Sequence, residues 1–432
     1  MSILSDLEER FETDSRPFLI GATGELSLGD VLRAGGASLS GIRAGDVVAL
    51  VGGVEPTTIN TLLRLSDLPV VIVPLTGESP AAIRRCVQSV GATVVIEGDR
   101  IQRRREDAPV HPLYRELARS GHAGLVLFSS GMSGEPKMIL HDFERFLRRY
   151  RTPRPPLRVM SFLSFDHIGG LNTLFHTLYS GGVVVVPSGR APAMVFQDIE
   201  AFGVEVLPTT PTFLRMLLAG GFLEGGVPGS LRIVTYGAER MDPVTLQDVA
   251  RLLPGVDLRQ TYGLSELGIL RVRSRARDSL FMRIGGEGVA TRVVDGVLQI
   301  RAELRMLGYL NHASPFDEDG WYDTGDLVET DGDDLRIIGR KDEVINVGGM
   351  KVHPSQIESE ALACSGVCQA RARGIDNPIT GQHIELVCEA RPDTELTGKE
   401  IRRFLRERLP REFVPHRVRV GSVERTQRFK SR

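Results

Sequence analysis

The stretch GLVLFSSGMSGEPKMILHD, residues 124–142, joins a short apolar run to a loop rich in serine and glycine. Within nine residues after Phe128 the chain places three serines, two glycines, a proline and a lysine. Glycines allow several backbone N–H groups to point into one concavity, and serine hydroxyls add donors. The pattern therefore predicts a buried strand that leads into a phosphate-binding loop. A flexible surface turn is the alternative, although Pro136 and Lys137 are unusual in a mere linker.

Two common nucleotide-binding loops do not fit this stretch. A Walker A loop requires G-x-x-x-x-G-K-[ST], whereas Gly131 and Gly134 lie too close together. Lys137 also follows a proline and precedes Met138, where the Walker A pattern has serine or threonine. The dinucleotide-binding pattern G-x-G-x-x-G is absent from the stretch as well. The predicted phosphate loop is therefore of another kind.

Apolar runs of strand length recur on both sides of this stretch and alternate with amphipathic segments. Runs of this kind, separated by helices, are typical of parallel sheets that helices cover on both faces. The runs occupy residues 47–53, 69–75, 92–98, 124–130, 182–188, 204–210 and 232–238.

The pattern changes after about residue 285. The segments 289–303 and 326–340 each predict a β-hairpin, the first with Asp295 and Gly296 at its turn. They indicate a smaller β-rich subdomain. Beyond Arg340 the chain predicts a compact α+β module with a helix over 397–409.

The chain has 432 residues, which is more than one hydrophobic core usually holds. We therefore predict an α/β protein whose large N-terminal domain, residues 1–341, combines packed, mostly parallel sheets with the β-rich subdomain. A small α+β C-terminal domain, residues 342–432, is expected to follow as a lid or cap.

The composition excludes several classes of function. The net charge of −2 gives no broad electrostatic case for binding nucleic acid or an anionic membrane. No apolar run is long enough to span a membrane, and the acidic N-terminus does not resemble a signal peptide. The cysteines show no zinc-type pairs, which favours buried thiols in a cytoplasmic protein. Cys364 and Cys368 have the spacing of neighbours on one helix face. The other two cysteines are Cys86 and Cys388.

Lysine is scarce in this chain. Only five of the 53 basic residues are lysines, and the rest are arginines. A retained lysine therefore indicates a position that needs a compact ammonium, which a guanidinium cannot replace. Four of the five lie within the motifs described next, and Lys399 does not.

The segment FSSGMSGEPKMILH resembles the phosphate-binding signature of the adenylate-forming superfamily, which includes acyl-CoA synthetases, peptide-synthetase adenylation domains and beetle luciferases. It departs from that signature at Met132, where a hydroxyl residue is usual, and at Met138, where glycine is usual. Further segments resemble the family's other signatures and follow in the family's order. They are residues 45–80, TYGLSE (261–266), GWYDTGDL (320–327), IIGRKDEVINVGGMKVHPSQIE (337–358) and ERTQRFKSR (424–432).

The resemblance implies that a carboxylate attacks the α-phosphate of ATP, in the presence of Mg²⁺, to give an acyl-adenylate and pyrophosphate. It assigns the β- and γ-phosphates to Ser129, Ser130, Gly131, Ser133, Gly134 and Lys137. Glu266 matches the magnesium-binding glutamate, and Ser265 keeps a hydroxyl for the α-phosphate. The residues implied to hold the nucleoside are Tyr262 at the adenine face, Gly237 and Ala238 at its edge, and Asp326 and Arg340 at the ribose.

The resemblance also assigns roles to the C-terminal domain, which is mobile in the family. Lys430 would bridge the acid and the α-phosphate, although Glu424 and Phe429 replace the usual proline and glycine beside it. Asp342 matches the hinge between two orientations of the small domain. The residues implied to face the pantetheine arm of the acceptor thiol are Gly348, Gly349 and Lys351.

The segment 161–182 resembles the part of the family that begins at the acid pocket, and His167 falls at a gate position. Amino-acid-activating relatives have an aspartate one position later, where this chain has Ile168. Asp166 is adjacent, so a shift of one residue in the alignment would reverse this distinction. We predict a hydrophobic or aromatic carboxylic acid as substrate. The implied pocket residues are His167, Ile168, Gly169, Tyr236, Thr261, Ile269 and Leu270.

Four functions remain open at this point. The leading hypothesis is an acid–thiol ligase that transfers the acyl group to coenzyme A. A close alternative transfers it to the phosphopantetheine of an acyl or peptidyl carrier protein, and a third forms an amide with an amine. The alternative of another class is a catalytically degenerate nucleotide-binding homologue.

Overall fold

The computed structural model describes residues 7, 9, 15–22, 24–77, 79–104, 111–129, 136–377, 381–392 and 394–423. Within these ranges the chain forms four β-sheets with helices packed against them. Two sheets are parallel at their centres, one is antiparallel and the fourth belongs to the C-terminal part of the chain. The predicted α/β class is therefore confirmed.

The first sheet has seven strands, and its central neighbours are parallel. Apolar side chains fill both of its faces, as the uniform burial of Val206–Thr209 illustrates. This double burial explains why its strands read as continuous apolar runs rather than alternating ones. In spatial order the strands are Asp257–Gln260, Ile233–Tyr236, Val206–Thr209, Arg158–Met160, Val183–Val185, Pro17–Gly21 and Gly24–Ser27.

The second sheet carries the strand that precedes the predicted phosphate loop. Val47–Val51 and Val71–Leu75 form its fully buried parallel centre. The strand Gly124–Ser129 extends this centre in parallel, and the next strand, Lys137–Asp142, turns back against it with Ser129 opposite Lys137. The remaining strands are Gly308–Tyr309 at one edge, and Val94–Glu97 and Arg100–Arg103 at the other.

The third sheet is antiparallel and contains both predicted hairpins. Asp295 and Gly296 have φ values of 51° and 76°, and they connect two strands whose last pair is Val294 with Val297. The second hairpin pairs Asp331 with Asp334. The strands, in spatial order, are Tyr262–Leu264, Gly268–Ser274, Met282–Gly285, Asp334–Arg340, Tyr322–Asp331, Val297–Ala302 and Val289–Val294.

The fourth sheet is built around the hairpin Val367–Asn377 and Gly381–Ala390. Ile345–Val347 and Met350–Val352 form a smaller hairpin that joins one edge of Gly381–Ala390, and Arg417–Val420 joins the same edge. One prediction is wrong here. Cys364 follows the end of a helix and Cys368 lies in a strand, so the two thiols do not share a helix face.

Proline marks the first residue of seven helices within the described ranges. Because proline has no N–H and a φ angle close to the helical value, it suits a first turn whose N–H groups have no helical partner. These helices are Pro56–Ser66, Pro80–Ser89, Pro112–Ser120, Pro192–Ala201, Pro211–Ala219, Pro243–Leu252 and Pro354–Leu362. The other described helices of four or more residues are Leu28–Arg33, Phe143–Leu147, Ile168–Tyr179 and Gly398–Arg406.

The helix Ile168–Tyr179 packs very tightly at its start. A β-carbon placed on Gly170 would lie 2.0 Å from the backbone oxygen of Ser164, so only glycine fits there. Ser164 in turn lies 3.2 Å, hydroxyl to hydroxyl, from Thr76, which follows a strand of the second sheet. The close approach therefore positions the helix beside the junction of the first two sheets.

We expect Gly170→Ala to lower the free energy of unfolding by about 1–3 kcal/mol, because the backbone of residues 163 and 164 must move. Denaturant unfolding measures this loss. Gly229→Ala is the matched control, since a β-carbon at Gly229 meets nothing within 4 Å. Equal stability of the two variants would contradict the close approach.

Candidate active site

The segments predicted to bind the nucleoside follow neighbouring parallel strands. Gly237 and Ala238 come directly after Ile233–Tyr236, and Thr261 comes directly after Asp257–Gln260. These strands are adjacent, with Tyr236 opposite Gln260. Ligands of α/β sheets bind outside the carboxyl ends of such strands. The fold therefore brings the two predicted adenine segments together at one edge.

The turn after Tyr236 is tightly packed. The hydroxyl of Thr261 donates to the Tyr236 carbonyl over 3.1 Å, and a β-carbon on Gly237 would lie 2.1 Å from that hydroxyl oxygen. Ala238 has a φ of 66°, which is unusual for a residue with a β-carbon. The backbone at Gly237 therefore lies directly against the segment that follows the neighbouring strand.

The side chains of Lys137 and Glu266 both contact Tyr309. The Tyr309 hydroxyl donates to Glu266 Oε1 over 2.6 Å, and Lys137 Nζ lies 5.0 Å from the centre of the Tyr309 ring. Tyr309 and Glu266 are 4% and 6% exposed. Sequence reasoning had singled out Lys137 and Glu266 but missed the tyrosine, because Tyr309 lies in a two-residue strand outside the motifs used.

Both tyrosines near Glu266 stay protonated. Burial, together with the Glu266 carboxylate, raises the pKa of the Tyr309 hydroxyl and that of Tyr322 above the ordinary tyrosine value. A protonated tyrosine donates a hydrogen bond and does not repel the carboxylate. Tyr309 therefore orients Glu266 at neutral pH.

A network of backbone bonds fixes Tyr309 in place. Leu307 N donates to Leu140 O over 2.7 Å, and Leu310 N donates to Met138 O over 2.9 Å. The Asn311 side chain completes the network, since it accepts from the Met138 N–H and donates to the Pro136 carbonyl. The residues that precede and follow Tyr309 are thus bound to the strand that begins at Lys137.

A buried histidine supports the backbone next to Glu266. His141 Nε2 lies 2.7 Å from the Ser265 carbonyl oxygen, so Nε2 carries the proton and donates it. Burial lowers the pKa of His141 to about 4, which keeps the ring neutral at physiological pH. Arg149 donates to the carbonyl of Leu304 over 3.0 Å and also approaches the Leu267 carbonyl. His141 ends the segment FSSGMSGEPKMILH, but no pattern in the sequence predicts a role for it or for Arg149.

The predicted ribose residues form one connected chain of polar contacts. Tyr262 donates to Asp326 Oδ2 over 2.6 Å, and Arg340 donates to Asp326 Oδ1 over 3.1 Å. Arg340 also donates to Asp342 over 3.1 Å. Burial raises the pKa of the Asp326 carboxyl, while the Tyr262 bond and the Arg340 charge act in the opposite direction. Tyr262 was expected at the adenine face, and the structure shows that its hydroxyl is bonded to the carboxylate of Asp326.

The residues predicted for the acid pocket do not all lie in one cluster. Ile168 and Ile269 share an apolar cluster next to the helix Ile168–Tyr179. Tyr236 is buried in the core beneath the helices Pro192–Ala201, Pro211–Ala219 and Pro243–Leu252. Leu270 is buried in the core of the antiparallel sheet, on the opposite side of its strand from Ile269. We therefore keep Ile168 and Ile269 as pocket candidates and assign Leu270 to the core.

His167 and Gly169 lie at the start of that helix. His167 directly precedes it, and a β-carbon on Gly169 would come within 2.9 Å of the Leu163 side chain. The neighbouring Asp166 is 8% exposed and accepts the Ser164 hydroxyl over 2.6 Å. The carboxylate of Asp166 therefore has a partner within its own turn.

The C-terminal part of the chain contacts the loop that follows the adenine segment. Arg240 donates to the Ser355 carbonyl over 3.1 Å and to the Ser359 hydroxyl over 3.2 Å. Arg215 donates to the Gln369 side chain over 3.0 Å.

The turn of the predicted thiol channel, Gly348 and Gly349, has φ values of 59° and 88°. Lys351 lies in the exposed strand after it.

Ser130, Gly131, Ser133, Gly134 and Lys430 lie outside the described residues. Ser129 ends its strand opposite Lys137, which places one end of the predicted phosphate loop beside the Lys137, Tyr309 and Glu266 group.

The described residues fit one divalent cation only in part. They contain no cluster of three or more histidine, cysteine, aspartate or glutamate side chains that would hold a metal ion unaided. Glu266 supplies one oriented carboxylate, an oxygen ligand that Mg²⁺ prefers. This fits an ion whose other ligands come from phosphate oxygens and water.

A family model described as AMP-binding enzyme matches residues 32–297, which is more than half of the chain. The chain belongs to the AMP-binding enzyme family. The match ends before the antiparallel sheet is complete, so Asp326, Arg340 and the C-terminal sheet lie beyond it.

Two curated members of this family illustrate its range. The 2-hydroxy-7-methoxy-5-methyl-1-naphthoate–CoA ligase of Streptomyces carzinostaticus is 28% identical over 322 residues, covering 68% of this chain and 58% of that protein. A medium/long-chain fatty acid–acyl-carrier-protein ligase of Mycobacterium tuberculosis is 27% identical over 346 residues, covering 70% of this chain and 64% of that protein. The chain thus spans less than two thirds of the length of either relative.

Solved structures of family members share the fold. The anthranilate CoA ligase AuaEII in complex with anthranoyl-AMP gives a TM-score of 0.79 at 18% identity, covering 99% of this chain and 95% of that one. The amide bond synthetase McbA from Marinactinospora thermotolerans gives 0.75 at 20% identity, covering 98% and 97%. At these identities the likeness establishes the fold, and it does not extend to the substrate or the reaction.

We predict that Tyr309→Phe raises the Mg²⁺ concentration needed for half-maximal nucleotide turnover by about tenfold, because Glu266 loses the hydrogen bond that orients it. The measurement is a magnesium titration of ATP–pyrophosphate exchange. Tyr150→Phe is the matched control, since this buried tyrosine donates to Asn172 instead. An unchanged magnesium requirement in Tyr309→Phe would exclude the orienting role.

Proposed function

We propose that this chain is an ATP-dependent acid–thiol ligase. It activates a hydrophobic or aromatic carboxylic acid as an acyl-adenylate and then transfers the acyl group to a thiol. The acceptor is coenzyme A or the phosphopantetheine of a carrier protein. The observation that carries this proposal is that Lys137 and Glu266 both contact Tyr309, beside one end of the serine-rich loop.

In the first half-reaction a carboxylate oxygen of the acid bonds to the α-phosphorus of ATP. The bond from that phosphorus to the bridging oxygen breaks, and pyrophosphate leaves. Two anions must approach, so charge neutralisation and positioning dominate the barrier. Lys137 would neutralise charge on the phosphates, and Glu266 would hold the magnesium ion that polarises their oxygens.

The nucleoside would be held by the residues at the sheet edge. The carboxylate of Asp326 would accept the ribose hydroxyls, since one carboxylate can accept two O–H donors. Arg340 already bonds to that carboxylate and would add a second ribose contact. Gly237 and Ala238 would line the adenine edge, and Ser265 would donate to the α-phosphate.

The second half-reaction would use the C-terminal domain, residues 342–432. The acceptor thiol attacks the acyl carbon, its proton leaves, and AMP departs. We infer that Asp342 acts as the hinge of this domain, with Lys430 serving adenylation and Gly348, Gly349 and Lys351 lining the thiol path. The link between Arg340 and Asp342 supports a hinge next to the ribose site.

The acid is proposed to be apolar because Ile168 and Ile269 share one cluster beside His167. An ammonium group there would lose its hydration without gaining a carboxylate partner, since the nearby Asp166 is bonded to Ser164.

Among the described residues no helix is long and apolar enough to span a bilayer. The four cysteines are free thiols, which supports a cytoplasmic location.

ATP–pyrophosphate exchange with a panel of acids tests the proposed function. We expect exchange with apolar or aromatic acids and little with amino acids, followed by AMP release when a thiol acceptor is added. Strong exchange with amino acids would instead favour Asp166 as the partner of an ammonium group. ATP binding without exchange for any acid would favour the catalytically degenerate homologue.

We predict that Lys430→Ala lowers the rate of adenylation by at least about 100-fold, because the charge that joins the acid to the α-phosphate is lost. Thiol capture from preformed acyl-adenylate should remain within a few-fold of the parent. Single-turnover assays of each half-reaction separate the two effects, with Lys341→Ala as the control. Equal loss of both half-reactions would remove this role from Lys430.

A further inference from the structure

The helix Gly398–Arg406 presents a basic face on the C-terminal module. Four basic residues follow the spacing i, i+3, i+4 and i+7, which places them on one side of a helix. Together with Glu400 they line a surface depression of about 350 Å³. The four residues are Lys399, Arg402, Arg403 and Arg406. Lys399 is the one lysine outside the family motifs.

The fold fixes this helix firmly. Ile401 and Leu405 on its opposite side are fully buried in the core of the C-terminal module. At its start Thr397 and Glu400 form a reciprocal capping pair, in which the Glu400 carboxylate accepts from the Thr397 N–H and hydroxyl. The one acidic residue of the depression is thus turned back onto the cap and leaves the cations exposed.

Three cations on this face form no ion pair within the described residues, and the nearest carboxylate, Glu400, is bonded to Thr397. Lys399, Arg403 and Arg406 are exposed and form no ion pair with another described residue. By contrast, Arg408 just beyond the helix pairs with Glu360 over 2.6 Å. Residues 397–419 contain eight lysines and arginines but three glutamates, although the whole chain has a net charge of −2. Positive charge is therefore concentrated here.

The basic helix and the predicted thiol turn are connected to the same edge of the C-terminal sheet, which also carries an exposed valine. The hairpin that carries Gly348 and Gly349 joins the same edge of the strand Gly381–Ala390 as Arg417–Val420 does. The basic helix packs on this second strand, where Gly398 lies against Val418. Val420 lies on the same face of the sheet as Val418 and is 39% exposed.

We propose that this basic face docks an acidic protein that carries the acceptor thiol, a holo carrier protein. The inference rests on the proposed function and names the acceptor within it. Complementary charge speeds encounter and fixes the orientation of a partner, while a small apolar contact at Val420 adds affinity. Docking on the module that carries the glycine turn would place the partner's thiol arm on the same module as the proposed thiol path.

Two other polyanions fit the face less well. A bilayer surface would favour apolar side chains beside the cations for insertion, but the apolar side of this helix is buried in its own module. One phosphate group of coenzyme A would engage a single cluster of donors. Here the cations extend over two helical turns, about 10 Å, which suits the spaced carboxylates of a protein surface.

The test compares the parent with the triple variant Lys399→Glu, Arg403→Glu and Arg406→Glu. For transfer to an acidic holo acyl carrier protein we expect kcat/KM to fall by about 10- to 100-fold, because electrostatic encounter is lost. Raising the salt concentration from about 0.05 to about 0.5 M should slow the parent, because attraction is screened, but should not slow the variant, whose glutamates repel the acidic partner. Pyrophosphate exchange and transfer to coenzyme A should stay within twofold.

The matched control is Arg84→Glu, Arg85→Glu and Arg119→Glu, which changes the charge equally at exposed positions of the large module. Melting temperatures verify folding. Unchanged carrier-protein transfer in the triple variant, or an equal loss in the control, would overturn the proposal. So would a parallel loss of coenzyme A transfer, or binding of the parent but not the variant to phosphatidylglycerol vesicles.

Direct titration of the holo carrier protein against parent and variant, without ATP or acid, keeps the inference separate from the proposed function. A dissociation constant weakened by about 10- to 100-fold in the variant supports docking even if no acid is activated. No binding to the parent refutes docking even if exchange with acids is strong.

Discussion

The hydrogen bond from Tyr309 to Glu266 depends on a network of backbone hydrogen bonds that holds Tyr309 between two sheets. The segment around Tyr309 is tied by its backbone to the strand Lys137–Asp142, and Met306 N donates to the Glu266 carbonyl. One short segment thereby joins the second sheet to the antiparallel sheet. Because these elements lie more than a hundred residues apart in the sequence, their mutual position is set by this network rather than by local structure.

Three polar side chains around this junction, His141, Tyr309 and Tyr262, are buried, and each donates a hydrogen bond. His141 is buried as a neutral ring, and its single ring N–H donates a hydrogen bond to the Ser265 carbonyl. Tyr309 and Tyr262 are buried as protonated hydroxyls, and each donates to a carboxylate. A buried carboxylate without such donors would be costly to ionise. Neutral donors therefore stabilise the charges of Glu266 and Asp326 that the proposed chemistry needs.

The C-terminal module is connected to the same region by exposed as well as buried contacts. Arg240 lies two residues after Ala238 and bonds to the helix Pro354–Leu362. Asp342 accepts a hydrogen bond from Arg340, one of the residues proposed to bind the ribose. The C-terminal module is therefore bonded directly to segments of the proposed nucleoside site.

The sequence by itself determined the α/β class, seven of the strands in the two central parallel sheets and both hairpins. These follow from apolar periodicity and from local turn residues such as Asp295 and Gly296. It also singled out Lys137, Glu266 and Asp326 as candidates, because they lie in segments that resemble the family's signatures. Only the tertiary structure revealed Tyr309 as the shared contact of Lys137 and Glu266, His141 and Asn311 as supports of the backbone nearby, and the separation of Ile269 from Leu270. These relations arise from contacts across sheets, and no pattern along the chain encodes which distant side chains will meet.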